Sequence, residues 1–331
     1  MNLSLIILLV ILSLFLLGFI YIEPILMKHK VKNDNEYGSA RFSTDNEIKK
    51  NFKKEKVSNI KEAGFPVSFS KDLKTIYFDR ETPHYVYLGS TGSGKSVTAV
   101  IPTCTFISSA NKKRSVFITD PKGEIYYATS KMFQDRGYKI LTIDFRHPEL
   151  SNKINILDPI ITEYKEYMEY ERLAAESKEE KEKLEYNNLS MSALAETNRL
   201  ISSLATMVMQ EKHEQKDPFW NESAKNLLEG LIGFFLEELK LGNIKEEQIT
   251  MTSIRKFQNS TMEAANSKKF KDYINKRAYG SKSKDALVSI LSASDNTYKS
   301  ITAVFGQKMN IFDDINVANV TCTSDFKFNV L

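Results

Sequence analysis

Cysteine and histidine are scarce in this sequence. The chain has two cysteines, Cys104 and Cys322, and four histidines, and together they form no metal-ligand spacing. This scarcity argues against a structural zinc site or a disulfide framework and fits a reducing cytosol. A large excess of one charge is also lacking, because 46 basic residues stand against 42 acidic ones, a net charge of +4. No chain-wide positive field indicates nucleic acid, so any basic surface has to be local.

The first residues of the chain read as a membrane anchor. The run from Leu3 to Ile22 carries no charge and is long enough to cross a bilayer core. It lacks the basic n-region and small-residue cleavage site of a signal peptide. Three lysines between positions 28 and 32 follow it, which places the rest of the chain on the cytoplasmic side. We predict a single-pass cell-membrane anchor over residues 1–22 and a juxtamembrane linker over 23–62.

The most specific motif spans Gly89–Ser96 and reads Gly-Ser-Thr-Gly-Ser-Gly-Lys-Ser. An apolar segment, 85–88, precedes it and a predicted helix, 97–101, follows it, which is the setting of a phosphate-binding loop. Glycines allow the close approach of phosphate, and the loop amides and helix N-terminus direct donors at its oxygens. We predict that Lys95 is the catalytic lysine at the β- and γ-phosphates and that Ser96 ligates Mg²⁺. The predicted ATP contacts in this loop are Gly89, Ser90, Thr91, Gly92, Ser93, Gly94, Lys95 and Ser96.

Two more apolar runs, 115–119 and 139–143, each end in an aspartate. A predicted helix over 125–136 separates them, and this alternation favours right-handed βαβ units and a parallel sheet. Since ligands collect at the carboxyl ends of such strands, we predict Asp120 to be close to the nucleotide and take Asp144 as structural. Short strands are also expected around 67–69 and 75–78. These segments make up the first part of a nucleotide-binding domain over residues 63–160.

From residue 163 the sequence becomes helical in character. The stretch 163–185 has nine glutamates against five basic residues, which is typical of a solvated helix. Apolar residues then recur at helical spacing over 193–209, 218–241 and 287–305. We therefore predict an all-helical insert domain over residues 161–310 and a return to the nucleotide-binding domain over 311–331.

Part of this insert is rich in basic residues. Between positions 255 and 284 there are nine basic and two acidic residues, interleaved with Phe257, Phe270, Tyr273 and Tyr279. Basic groups and aromatic rings are what single-stranded nucleic acid requires, for phosphate neutralisation and for base stacking. An ordinary solvated helix face with aromatic side chains in the core is the alternative, and we favour it. The candidate DNA contacts are Arg255, Lys256, Lys268, Lys269, Lys271, Lys276 and Arg277.

Five short segments occur in the order of a known family. They are Gly38–Phe42, Gly89–Ser96, Asp120–Glu124, Asn155–Pro159 and Phe219–Trp220. Together they resemble the TraG-like coupling proteins of type IV secretion systems, which are membrane-anchored P-loop ATPases. The resemblance implies a RecA-like parallel sheet, ATP and Mg²⁺ as cofactors, and a homo-hexameric motor. It also implies a relaxase on single-stranded DNA as cargo and type IV secretion channel components as partners, with the helical insert engaging DNA or cargo.

Two departures from the family pattern are visible. Many relatives have two membrane spans, whereas one is seen here. Relatives also continue past Ser324–Phe326 into a Walker B strand that ends in Asp-Glu, and this sequence ends at Leu331. We therefore expect ATP binding with poor hydrolysis, and aggregation through an uncovered strand edge. The alternatives are a non-catalytic nucleotide-binding remnant and another membrane-tethered P-loop translocase, such as one for chromosome partitioning.

Overall fold

The computed structural model describes residues 41, 43–80, 84–210, 218–262 and 264–327, with the side chains of 264–267 excepted. These residues form two compact units, one up to Lys139 and one from Ile140 onward. No helix within the described ranges is long and apolar enough to cross a membrane. The predicted anchor over residues 1–22 and most of the Gly38–Phe42 segment lie outside the described residues.

The first unit contains a small antiparallel sheet. Helix α1 (Asp45–Asn51) leads into β1 (Lys53–Lys56), and β2 (Phe65–Phe69) and β3 (Thr75–Asp79) form a hairpin. The strand order is β1-β3-β2. The short strands expected around 67–69 and 75–78 are confirmed. Residues 45–56, which were expected to belong to a linker, are instead folded.

One face of this sheet carries the core of the first unit. Ile76 and Phe78 of β3 are buried there, and the ring of Phe106 lies 5.2 Å from that of Phe78. Phe106 belongs to α2 (Ile101–Ser109), which continues a π-helical turn over Ser96–Val100. The helix expected after the glycine-rich loop is thus confirmed, and packing on the sheet fixes its far end.

The parallel sheet predicted for this chain is not formed by the described residues. The segments 84–90, 113–120 and 138–144 have no regular secondary structure. A strand requires a hydrogen-bonded neighbour. Without one, Leu88 and Phe117 are each 92% exposed. These runs were predicted to be paired strands, but none of them pairs with a strand among the described residues. Between the last two segments, the predicted helix is present as α3 (Glu124–Asp135).

The second unit is helical in all its described elements. The helices are α4 (Asp158–Glu176), α5 (Glu180–Met209), α6 (Phe219–Lys240), α7 (Met251–Thr261), α8 (Ala264–Asn275), α9 (Lys282–Leu291), α10 (Asp295–Met309) and α11 (Ile315–Thr321). Short 3₁₀ turns lie at Glu246–Gln248 and Asn310–Asp313. Side-chain caps mark several starts: Thr250, Ser281, Ser294 and Asp314 accept hydrogen bonds from the first turns of α7, α9, α10 and α11.

Helix α6 is the centre of this unit. Leu227, Leu228, Leu231 and Ile232 are fully buried on it, so it is covered on more than one face. The apolar spacing predicted a helix here that ends near 241–242, and Gly242 indeed follows it with φ +73°. A buried central helix supports the neighbouring helices on all sides, and its packing decides the stability of the unit.

Residues 311–327, expected to return to a nucleotide-binding domain, lie within the helical unit. The Ile154 amide donates to the Val320 carbonyl at 2.8 Å. Lys153 and Asp325 pair twice, through the Lys153 amide to Asp325 Oδ2 at 2.8 Å and the Asp325 amide to the Lys153 carbonyl at 3.0 Å. The chain therefore enters and leaves the helical unit at one place.

Candidate functional site

The glycine-rich loop adopts a closed turn that depends on its glycines. Gly92 and Gly94 both have φ +82°, a left-handed conformation that other residues rarely adopt. The Ser93 amide donates to the Ser90 carbonyl at 3.2 Å, which closes the turn. A side chain at Gly89 would come within 2.5 Å of Ser93 Oγ. Glycine is thus favoured by the backbone at positions 92 and 94 and by the Ser93 side chain at position 89, apart from any ligand.

Lys95 lies across the mouth of this loop. Its Nζ donates to the Gly89 carbonyl at 2.7 Å and to the Ser90 carbonyl at 2.8 Å. The contact to Ser93 Oγ is longer, 3.4 Å. Because an ammonium has three protons, two hold the lysine on the loop and the third is only weakly engaged. This geometry keeps a positive charge beside the loop amides.

Ser96 begins the helix that follows. The π-helical turn over Ser96–Val100 and α2 are continuous, and the Thr98 amide donates to the Gly94 carbonyl at 2.8 Å. Such a helix start offers amide donors and the positive end of the helix dipole to an anion. A hydroxyl at the first helical position is a suitable ligand for a magnesium ion shared with phosphates. The donor set of the loop therefore fits a triphosphate with Mg²⁺.

Asp120 has a local structural partner. Its Oδ2 accepts hydrogen bonds from the Ile125 and Tyr126 amides at 2.8 and 2.9 Å. It thereby caps α3 after a turn in which Gly123 has φ +77°. Sequence reasoning did not find this role, although an aspartate followed by Pro-Lys-Gly-Glu is a common way to start a helix. The proximity of Asp120 to a nucleotide stays a prediction.

The Asp144 side chain also accepts hydrogen bonds from the backbone that follows it and so stabilises a local turn. It accepts from the Arg146 amide at 2.8 Å and the His147 amide at 3.3 Å. These backbone hydrogen bonds lower the pKa of its carboxyl from the usual value. The expectation that Asp144 is structural agrees with this geometry.

The two arginines among the candidate DNA contacts are engaged inside the helical unit. Arg255 Nη2 lies 2.9 Å from Asp313 Oδ2, and its side chain is only 13% exposed. Arg277 pairs with Glu238 and stacks at 5.1 Å over the ring of Tyr273. These contacts tie α7 and the end of α8 to other elements of the unit, and they account for both guanidinium groups.

The lysines of the same set face outward. Lys256, Lys268, Lys269 and Lys276 are exposed and Lys271 is half-buried. On α8, the buried residues Phe270 and Ile274 define the inner face, and Lys268 falls on the opposite side, while the exposed Lys276 directly follows the helix. None of the described carboxylates is within ion-pair distance of these five lysines. Tyr279, just beyond α8, is 93% exposed.

A family model identifies what these elements belong to. The model for conjugative DNA transfer by the type IV secretory system matches residues 30–331, nearly the whole chain. The chain belongs to this family. A search of curated proteins gave no match. Membership of the conjugative DNA transfer family confirms the resemblance drawn from the short segments, and the match covers both structural units.

One residue of the Asn155–Pro159 segment has a structural role that the sequence did not reveal. Asn155 is buried, and its amide donates to Ser324 Oγ at 2.8 Å. Its Nδ2 donates to the Ile249 carbonyl at 2.8 Å, and its Oδ1 accepts from the Leu157 amide at 3.1 Å. Asn155 therefore joins the entrance, the exit and the middle of the helical unit. The signal was present in the sequence, because a polar residue in an otherwise apolar segment requires buried partners.

Proposed function

We propose that this chain is a membrane-anchored, ATP-binding coupling protein of a conjugative type IV secretion system. It recruits relaxase-bound single-stranded DNA and drives the transfer of that DNA to the secretion channel by ATP hydrolysis, as a homo-hexamer with most of the chain in the cytoplasm. The observation that carries the proposal is the glycine-rich loop with Lys95 held across its mouth. Family membership supports the role in DNA transfer.

The residues of the loop have separate tasks in this proposal. The other loop amides and the helix N-terminus bind phosphate oxygens while the Ser93 amide stays in the turn, and Ser96 Oγ would ligate Mg²⁺. Lys95 keeps its contacts to the Gly89 and Ser90 carbonyls and turns its third proton from Ser93 to a phosphate oxygen. The longer 3.4 Å contact is the one that such a movement gives up. A magnesium ion held by Ser96 would supply charge neutralisation for phosphoryl transfer, and Lys95 would place its own positive charge at the same phosphate oxygens.

We also propose that the three irregular apolar segments are strands of a RecA-like parallel sheet. Pairing would cover the exposed side chains of Leu88 and Phe117, and the burial of this apolar surface would stabilise the fold. It would also bring the carboxyl ends of segments 84–88 and 115–119 to one edge of the sheet, where Asp120 would lie beside the loop. The exposed lysines of α8 are the proposed DNA phosphate contacts of the helical unit.

Substitution of the loop lysine tests the proposal. Lys95→Ala removes the charge at the phosphates, and we expect the Kd for a fluorescent ATP analogue to rise at least ~10-fold and conjugative transfer to be lost. Lys112→Ala, an exposed lysine of the same unit outside the loop, is the matched control and should change neither. Unchanged ATP binding in Lys95→Ala would contradict the proposal. Lost binding with normal DNA transfer would instead indicate a non-catalytic nucleotide-binding remnant.

A further inference from the structure

The turn between β2 and β3 is a closed, well-bonded structure. The Leu73 amide donates to the Ser70 carbonyl at 2.9 Å, and the Ser70 amide donates to the Thr75 carbonyl at 2.8 Å. Asp72 Oδ1 accepts from Ser70 Oγ at 2.5 Å and from the Lys74 amide at 3.2 Å. The shape of this turn is therefore fixed by its own hydrogen bonds.

Leu73 is an unusual residue for its place in this turn. Its φ is +56°, and no other described residue except glycine has a positive φ. A residue that follows such a turn in the left-handed conformation is most often glycine, because a side chain there is strained. The leucine side chain is also 68% exposed, so burial does not offset the strain. An exposed, strained apolar residue indicates a function outside the fold.

More exposed apolar side chains lie beside Leu73. The Val57 amide donates to the Lys74 carbonyl at 2.9 Å, which places Val57 next to the turn, and Val57 is 45% exposed. Phe69, the last residue of β2, is 47% exposed. Three branched or aromatic side chains thus lie uncovered at the same end of the sheet.

Three lysines surround these apolar residues. Lys56 pairs with Thr75 across β1 and β3, and Lys71 and Lys74 lie in the turn itself. All three are exposed, and among the described carboxylates none is within ion-pair distance of them. Asp72 is the acidic residue of the turn, and its Oδ1 accepts the hydrogen bonds from Ser70 and Lys74. We call Lys56, Val57, Phe69, Lys71, Leu73 and Lys74 the hairpin tip.

We propose that the hairpin tip docks on the anionic surface of the membrane. Lysines attract acidic lipid headgroups, and apolar side chains between them insert at the boundary of the acyl chains. Nucleic acid would use the lysines, but a phosphate backbone gives Leu73 and Val57 nothing to bury against. The predicted anchor, 1–22, lies about 20 residues ahead of α1 and would hold the tip near the bilayer. This inference rests on the membrane anchor of the proposed function, but it requires neither nucleotide nor DNA.

Tryptophan fluorescence of the full chain in vesicles tests the docking. The Leu73→Trp variant is reconstituted into vesicles of brominated lipid, and the wild-type chain, whose single tryptophan is Trp220, supplies the background. We expect anionic brominated lipid to quench at least half of the added emission and brominated phosphatidylcholine to quench much less. Raising the salt to ~1 M, where the Debye length is about 3 Å, should weaken the quenching in anionic vesicles. Ile315→Trp, at a site of similar exposure in the helical unit, should not be quenched.

Two sets of variants separate docking from misfolding. With Val57→Trp as the probe, adding Leu73→Gly should reduce the quenching while thermal stability stays equal or rises, because glycine relieves the strain. Changing Lys56, Lys71 and Lys74 to Gln should lower the quenching to the phosphatidylcholine level, whereas changing the exposed Lys178, Lys181 and Lys183 should not. Equal quenching in both lipids or absent quenching would overturn the proposal. A response to oligonucleotide instead of lipid would overturn it in favour of nucleic acid.

Discussion

Two glycines of α6 allow α9 to pack closely, and we predict that a larger residue at this contact destabilises the helical unit. A Cβ added at Gly230 would lie 2.5 and 2.6 Å from Cγ and Cδ2 of Leu287, which is fully buried. The nearest atoms to a Cβ at Gly233 belong to Lys282, at 2.8 and 2.9 Å. Carbon atoms do not approach this closely, so the helices would have to separate.

The size of the effect follows from two opposed terms. Overpacking of this kind costs roughly 1–3 kcal/mol. Alanine in place of glycine inside a helix returns about 1 kcal/mol. At Gly230 the obstacle is a core side chain that cannot move aside, so we take the upper end of the first term. Gly230→Ala should therefore destabilise the helical unit by about 2 kcal/mol.

Urea unfolding followed by tryptophan fluorescence measures this directly. Trp220 lies on α6, so its emission reports the unit that contains the substitution. With a urea dependence of about 2 kcal/mol per molar, the midpoint should fall by about 1 M. Gly306→Ala is the matched control, because a Cβ there meets only Nη1 of Arg255, at 3.2 Å, and the small shift that this requires is offset by the roughly 1 kcal/mol that alanine returns inside a helix. We expect it to be nearly neutral. A midpoint for Gly230→Ala at or above that of the wild type would refute the packing argument, as would an equal fall for Gly306→Ala.

Two further predictions concern charge. Changing Lys268, Lys269 and Lys276 to Gln should weaken the binding of oligothymidylate, measured by fluorescence anisotropy. It should also flatten the salt dependence of binding, because each contact to phosphate releases a counterion. Unchanged salt dependence would exclude these lysines as phosphate contacts. Hydrogen bonds from Arg41 and from Thr44, the residue that caps α1, hold the pKa of Glu47 at about 2. Because the pKa of Glu47 is lower in the folded protein than its unfolded value near 4.5, the ionised carboxylate stabilises α1 above that pH, and this stabilisation is lost as the pH falls toward 2. The NMR shifts of α1 should therefore stay helical at pH 5 and change below pH 4. A Glu47 carboxyl that titrates at its ordinary pKa would contradict this.

Local signals in the sequence predicted the helices well. The apolar spacing of α6 and its end at Gly242 depend on residues close in sequence, and so do the short strands β2 and β3. The glycine-rich loop was predictable for the same reason, since its turn and the bonds of Lys95 lie within seven residues. Nothing local, in contrast, distinguishes an apolar run that has a strand partner from one that has none. The parallel sheet predicted from segments 85–88 and 115–119 therefore depends on strand partners that the residues of these segments do not themselves specify.

The basic stretch shows a second limit. Arg255 and Lys256 are adjacent in sequence, yet the first is bonded to Asp313 and the second is exposed. Arg277 meets Glu238 from another helix. A count of charges along the chain cannot distinguish these cases, because the carboxylate partners are 58 residues away in the first pair and on α6 in the second. The basic composition predicted a surface, and the structure divides it into internal ion pairs and exposed lysines.

The hydrogen bonds where the chain enters and leaves the helical unit explain the residue types of the segment Asn155–Pro159. Lys153 and Asp325 are separated by 172 residues and bond directly, and Asn155 bonds to Ser324 beside them. The entropy lost on closing a loop rises only with the logarithm of its length, about 0.6 kcal/mol for each doubling. The length of the helical unit thus adds little cost once its two ends are held together. What has to be specified is the closure itself, and the segment Asn155–Pro159 supplies it by bonding the exit, the Ile249 carbonyl and the first turn of α4. Through these bonds the residues just before α4 are held to the last turn of α11 and to the residues that follow it.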